Sequence, residues 1–414
     1  MIVNRKIDSS VAIFTVCNIA YLHKALVLAD SVFDNTGYKL NVFLFDKKQN
    51  LGLETDNLVV HWMEDIGIPN FLNLAFRYDI IEFSTALKPH LTILLLEEFE
   101  KVIFFDPDIY VYTSIDCILD DLSENAILLT PHYTTPQSDS LAESDTGMMR
   151  FGSFNLGFYG VRKSEQSQSF LNWWSKRCID LCYMESQFGL STDQKWVSIA
   201  PCFFSDIKIS FNLGYNVAPW NSWERKIEKK YDGKRFVNNE HELVFFHFSN
   251  FNPEDPGYLN ARSCYEKGVI RNDYLDIGKE YAVKHELKRS IYSHFRQVQY
   301  SYDYMSNGQY ISPLLRLAYS SMYESFIETK NPFDSEGDVA KFARKNNLLG
   351  NKLRPLGYIK NALNENTPYS LQIKILNISL RLVLYLVGPN RFFLLTRALV
   401  FFSSPRRNKG LWRV

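Results

Sequence analysis

Short apolar runs closed by polar or turn residues alternate with helix-length stretches along the first half of the chain. Residues 11–15 (Val-Ala-Ile-Phe-Thr) form a β-prone apolar run, followed by Cys17-Asn18-Ile19-Ala20-Tyr21 and a helix-like stretch through Val32. Asn41–Phe45 and Leu58–Trp62 are two more strand candidates. Arg77–Phe99 reads as helix, interrupted near Lys88-Pro89 because proline disfavours helix in the residue before it. Lys101–Tyr112 then predicts a strand that continues through Asp106-Pro107-Asp108. Strands alternating with helices imply an α/β fold with a mostly parallel, doubly wound sheet. In such sheets ligands bind outside the carboxyl ends of the strands. Thr15 with Asn18, and Asp106 with Asp108, fall at predicted carboxyl ends.

Residues 132–150 carry Pro, Ser, Thr, Asp and Gly with little periodicity and predict a flexible loop near the site, a candidate lid. Phe154–Phe158 resumes a strand and Ser167–Cys182 reads as helix. Asp193–Trp196 opens a short helix with Thr192 as its expected cap. Leu243–Phe248 is a strand ending in His247-Phe248-Ser249-Asn250. From about residue 275 the pattern is helical, Asn331-Pro332-Phe333-Asp334 marks a break, and a polar linker leads to the tail. There Leu371–Val387 and Arg391–Phe402 are mostly apolar, separated by Gly388-Pro389, with Lys374, Asn377 and Arg381 on one helical face. Neither run reaches the ~20 apolar residues that span a bilayer. A basic amphipathic hairpin lying at a membrane surface fits them, the alternative being a helical subdomain packed on the body.

The chain has 414 residues, enough for more than one structural unit. Lysine plus arginine equals aspartate plus glutamate at 46 each, so no global charge argues for nucleic acid. The balance is uneven, however: after Glu365 every charged residue is basic. The six cysteines show no metal spacing and read as reduced core thiols, Cys17 and Cys202 among them. No signal-peptide pattern precedes the first strand. The expected setting is cytoplasmic, at the inner face of the cell membrane.

Asp106 and Asp108 carry the candidate chemistry. Alternate side chains of a strand point the same way, so both carboxylates can face one site, as a hard divalent cation requires. Asp-Pro-Asp is equally ordinary turn chemistry when taken alone.

Six segments in order resemble the glycogenin-like, sugar-retaining glycosyltransferases of the GT-A type. These are AIFTVCNIAYLHKALVLADSV (Ala12 to Val32), Thr85-Ala86-Leu87-Lys88, the Asp-x-Asp strand from Phe104 to Asp116, Phe154-Asn155-Leu156-Gly157, Asp193-Gln194, and His247. TALKPH, STDQKW, GYNVAPWN and FFHFSNFNP are further similar to a bacterial subgroup that builds surface polysaccharides. The chain departs from the family pattern after the histidine: Asn250 and Phe251 stand where a glycine and then a lysine on the diphosphate are usual.

The resemblance implies a GT-A domain over residues 1–270, and the residue pattern beyond it predicts a helical extension over 271–340 and a basic amphipathic, membrane-associating tail over 341–414. It implies a nucleotide-sugar donor, most simply a UDP-sugar, and a glycan or lipid-linked acceptor. Asp106, Asp108 and His247 would hold Mn2+ or Mg2+. Thr15, Asn18, Tyr21, Asp106 and Asn155 would touch the donor. Lys88 would stabilise charge on the diphosphate, with Asp193 at a sugar hydroxyl and Gln194 beneath the anomeric carbon. Two other classes stay open. A sugar nucleotidyltransferase would show a glycine-rich basic loop where Thr15-Val16-Cys17-Asn18 stands, and a silent membrane-bound scaffold would not need Asp106, Asp108, Asp193, Gln194 and His247 together.

Overall fold

The computed structural model describes residues 8–53, 55–136, 145–256, 271–349 and 371–413. The chain forms two compact units, Met1–Phe71 with Ile80–Ser301, and Leu72–Asp79 with Tyr302–Val414.

The first unit is built on strands β1 (Val11–Cys17), β2 (Leu40–Leu44) and β3 (Leu58–Trp62), with helix α1 (Leu22–Thr36) crossing from the first to the second. Helix α2 (Phe71–Arg77) begins at the boundary between units and is followed by α3 (Ile80–Ala86) and α4 (Lys88–Glu98). Then come β4 (Lys101–Phe105), β5 (Ile109–Val111), α5 (Asp116–Glu124), β6 (Ile127–Pro131), α6 (Asp145–Phe151), β7 (Phe154–Arg162) and α7 (Glu165–Leu181). The unit closes with α8 (Gln194–Val197), β8 (Ile207–Ile209), β9 (Ile227–Lys229), β10 (Arg235–Val237), β11 (His241–Glu242), β12 (Phe245–His247) and α9 (Asn272–Ile291).

The main sheet has seven strands in the order β3-β2-β1-β4-β7-β6-β8. Neighbours are parallel except around β7, which runs antiparallel to both β4 and β6. All seven residues of β1 are buried, as a strand covered on both faces must be, and this is why it reads as an unbroken apolar run. The expected fold class, a mostly parallel sheet flanked by helices with further helices at the C-terminus, is the one observed.

Local differences have local causes. The Arg77–Phe99 stretch holds the last residue of α2 and two further helices, α3 and α4, and Pro89 lies in the first turn of α4, where its missing N–H leaves no intrahelical bond unmade. Residues 145–151 form α6 rather than loop, while residues 137–144 lie outside the described residues. Thr192 does not cap α8: its backbone is left-handed (φ 48°) and Asp193 takes the cap position, without a side-chain cap bond. Cys202 is exposed, whereas Cys17, Cys178 and Cys182 are buried free thiols. Residues 4–6, Cys264 and most of the expected linker into the tail lie outside the described residues.

The second unit contains α10 (Pro313–Ser321), α11 (Asp338–Lys345), α12 (Leu371–Val387) and α13 (Pro389–Phe402). Phe76 packs edge-on against Tyr319 and Phe333 in its core. Arg316 is buried and donates to the carbonyls of Ala75, Phe76, Tyr78 and Tyr302, and to Asp303. It thereby satisfies the carbonyls at the end of α2, which no intrahelical N–H can reach. Helices α12 and α13 meet at Gly388 (φ 76°). From Lys374 to Val400 no residue of this pair is buried. Among the described residues no helix is long and apolar enough to cross a membrane.

Candidate active site

Strand β4 ends at Phe105 because the chain turns there. The Asp106 N–H donates to Gly157 O on β7 (2.7 Å), and Ile109 N–H donates back to Asp106 O (3.1 Å) across Pro107. Beyond the turn, β5 pairs antiparallel with β12 in a two-stranded ribbon that sets His247 opposite Ile109. Asp108 O accepts from Phe248 N–H (2.8 Å) and fixes the end of the ribbon. In consequence His247 Nε2 lies 3.1 Å from Asp108 Oδ1 and 3.8 Å from Asp106 Oδ2. One ligand atom from each residue falls within 4.8 Å of the others.

The histidine is oriented from behind. Its Nδ1 is 3.3 Å from Asn216 Oδ1, while Asn216 Nδ2 donates to Asn155 Oδ1 (3.0 Å) and Thr130 Oγ1 (3.2 Å). With the Asn216 amide committed in that sense, its oxygen accepts from Nδ1–H and Nε2 is the nitrogen turned to the carboxylates, where it carries a proton or would give that proton up to ligate a metal. Asn216 sits at φ 51°, a left-handed conformation that asparagine tolerates. Gly157 is required at its position: a Cβ there would lie 2.3 Å from His247 Cε1. The donor set, two carboxylates and an imidazole aimed together, fits a manganese or magnesium ion.

Two lysines neutralise the carboxylates. Lys24, in the first turn of α1, is 3.7 Å from Asp108 Oδ2. Burial would raise the Asp108 pKa, but Lys24 and His247 outweigh it and hold the carboxyl well below the usual range. Lys88, 5% exposed, lies 3.4 Å from Asp106 Oδ1 and 3.3 Å from Asp193 Oδ2, donates to Leu156 O (3.0 Å) and rests over the Phe104 ring. Burial alone would push its ammonium down, yet Asp106 and Asp193 keep it above the ordinary value and charged. Burial in turn raises the Asp193 carboxyl, against the pull of Lys88. Asp193 Oδ2 makes no aligned hydrogen bond, whereas Oδ1 accepts from Thr192 Oγ1 (3.1 Å).

These groups line a cavity of about 410 Å3. Of the residues expected at the site, the structure brings Lys88, Asp106, Asp108, Asn155, Asp193, Gln194 and His247 to it. Gln194 is held at both ends of its amide, accepting from Leu156 N–H (3.2 Å) and donating to Phe151 O (3.1 Å). Asn155 spends its oxygen on Asn216 and the Gly157 N–H. Thr15, Asn18 and Tyr21 are not among the lining residues: Thr15 is buried within β1, Asn18 is buried before the turn into α1, and Tyr21 is half-exposed beneath Lys24. Sequence reasoning passed over Lys24, Asn216 and His132, the last of which also lines the cavity. The one legible signal for Lys24 was its placement three residues after Tyr21, one helical turn on.

No protein-family model matches the chain. Two curated proteins of Bacillus subtilis (strain 168) are similar to part of it, both named as uncharacterized: YfnD, 27% identical over 197 residues, and YfnF, 24% identical over 183. The matches cover 46% and 44% of this chain and 60% of each relative. Solved structures with some likeness include the bifunctional glycosyltransferase WbbM (TM-score 0.40, 14% identity, 70% of this chain and 52% of that one). The galactosyltransferase LgtC with donor and acceptor sugar analogues scores 0.37 at 16% identity, over 66% and 99% of the two chains. The glycosyltransferase GlyE of Streptococcus pneumoniae TIGR4 scores 0.40 at 14%, over 76% and 72%.

Proposed function

We propose that the chain is a metal-dependent glycosyltransferase that moves a hexose from a nucleoside diphosphate sugar, a UDP-sugar first among them, to a glycan or lipid-linked acceptor. The observation that carries this reading is the pairing of the Asp106-Asp108-His247 cluster with the buried Lys88-Asp193 ion pair in one cavity. A bound divalent cation supplies charge neutralisation for a departing diphosphate. Asp106, Asp108 and His247 would hold it, with Lys24 and Lys88 offsetting the carboxylates.

Transfer breaks the bond between the anomeric carbon and the diphosphate oxygen, whose electron pair stays with the diphosphate. Lys88, fixed by Leu156 O and two carboxylates, presents a preorganised positive charge to that developing anion. Asp193 Oδ2 has capacity to accept from a sugar hydroxyl, and Gln194 is too firmly held to move with the sugar. Asp193 is committed to Lys88 and is a poor general base. This favours retention, with the acceptor hydroxyl binding the anomeric carbon and passing its proton to the leaving phosphate.

The test is thermal stability against a panel of nucleoside diphosphates with and without Mn2+. A ligand that binds only the native state stabilises it by about 2.7 kcal/mol at roughly a hundredfold excess over its dissociation constant. A metal-dependent shift with one nucleotide, absent in Asp108→Ala, is expected. No shift with any nucleotide at any metal concentration would remove the donor site.

A further inference from the structure

The β5–β12 ribbon has a second face. Ile109, Val111 and Phe245 enter the core of the first unit, whereas Tyr110, Tyr112 and Phe246 pack with Tyr274, Ile277 and Tyr281 of α9. On that side lies a separate cleft of about 210 Å3, none of whose lining residues lines the active-site cavity. It is smaller than the roughly 300–1,000 Å3 usual for drug-sized ligands and suits a unit the size of one sugar ring.

Its walls are aromatic and its polar groups are of both kinds. Tyr281 is 1% exposed, and its hydroxyl has no hydrogen-bond partner among the described residues. Its ring is clamped by Phe248, stacked at 3.8 Å and 5° between planes, so the hydroxyl cannot swing away to find one. Leaving a buried hydroxyl unpaired is costly, and Tyr281 is one of the residues that line this cleft. Lys284, over the Tyr110 ring, and Arg235, over the Tyr112 ring, are donors. Glu280, ion-paired with Arg235, is an acceptor. Asn35 commits its Nδ2 to Ser31 O and Val111 O, so its amide offers only the oxygen. A simple anion would meet Glu280 in this wall. A neutral ring bearing several hydroxyls, each both donor and acceptor, matches donors, acceptors and tyrosine rings together.

We propose that this cleft is a second saccharide site, binding one pyranose unit of a neutral glycan away from the reacting centre. The inference rests on the cleft itself and holds whether or not the cavity transfers sugar.

Saturation-transfer NMR with the methyl glycosides of glucose, galactose, mannose and N-acetylglucosamine, and with inorganic phosphate, tests it. The measurements are made in Asp108→Ala protein, so that the catalytic cavity is disabled. At least one glycoside is expected to bind. Tyr281→Phe, which removes one oxygen without changing shape, should weaken that binding about five- to tenfold, and Tyr110→Ala should abolish it. The thermal midpoint reports whether each variant is folded. Three results would overturn the proposal: no glycoside binding, glycoside binding that Tyr281→Phe and Tyr110→Ala leave unchanged, or binding of phosphate alone.

Discussion

Gly157 and His247 show how closely single side chains set this site. An alanine at 157 collides with the imidazole and, being on a paired strand, cannot retreat. Gly157→Ala should therefore lower Mn2+ affinity about 10- to 100-fold, the range typical when a ligand's support is disturbed; titration calorimetry reads it. A second histidine pair lies elsewhere in the first unit, where His23 and His285 bring their Nε2 atoms to 3.1 Å. Ala20 O takes the Nδ1–H of His23, so His23 Nε2 accepts and His285 Nε2–H donates, an arrangement that requires a neutral His23. Burial depresses both, to about 4 and about 3, with His23 and nearby cations adding to the effect at His285. The unfolded chain binds more protons between pH 6.5 and the folded values, so stability is full above pH 6.5 and declines below it. The unfolding free energy read from urea melts should fall from pH 7 to pH 4.5, by up to about 3 kcal/mol, and the decline should flatten in His285→Gln. At this scale the Asp106-Asp108-His247 cluster was legible because the ordered family-like segments set a late histidine beside the two carboxylates, which taken alone are ordinary turn chemistry. Asn216 was not, since its role depends on where a distant loop places an amide.

Among the elements, those with one buried face or two were legible and those defined by partners were not. β1 announced itself through continuous burial, and α1 ends at Gly37, whose left-handed backbone (φ 79°) caps it. The reversed direction of β7 had no local signature, because strand polarity is decided by the neighbours it meets. Helix α6 is seven residues with none buried, so neither length nor periodicity marked it. Helix α2 likewise depends on one distant residue. Replacing Arg316 by leucine removes one charged donor from the Asp303 carboxylate and from four carbonyls. The loss should be about 3–5 kcal/mol, the cost of breaking a buried pair, read as a lower urea midpoint with an unchanged slope.

At the scale of the whole molecule the tail is the feature that a water-soluble core does not explain. Ile378, Tyr385, Leu386 and Leu394 are each more than half exposed on α12 and α13, with Lys374, Arg381, Arg391 and Arg397 interspersed. We read the pair as a surface that settles into anionic headgroups without crossing the bilayer. Deleting residues 371–414 should abolish co-sedimentation with phosphatidylglycerol vesicles at low salt and leave the nucleotide-dependent thermal shift intact; retained sedimentation would remove the tail from membrane binding. The ribbon that joins Asp108 to His247 sets the order of events when the protein is made. Its two strands lie far apart in sequence, so a nascent chain owns two of the three candidate ligands until His247 has emerged. An ion held by these three residues would therefore be the last component installed, a seal on a completed fold, and a chelator present only during refolding should leave the fold to form unhindered and delay nothing but the seal.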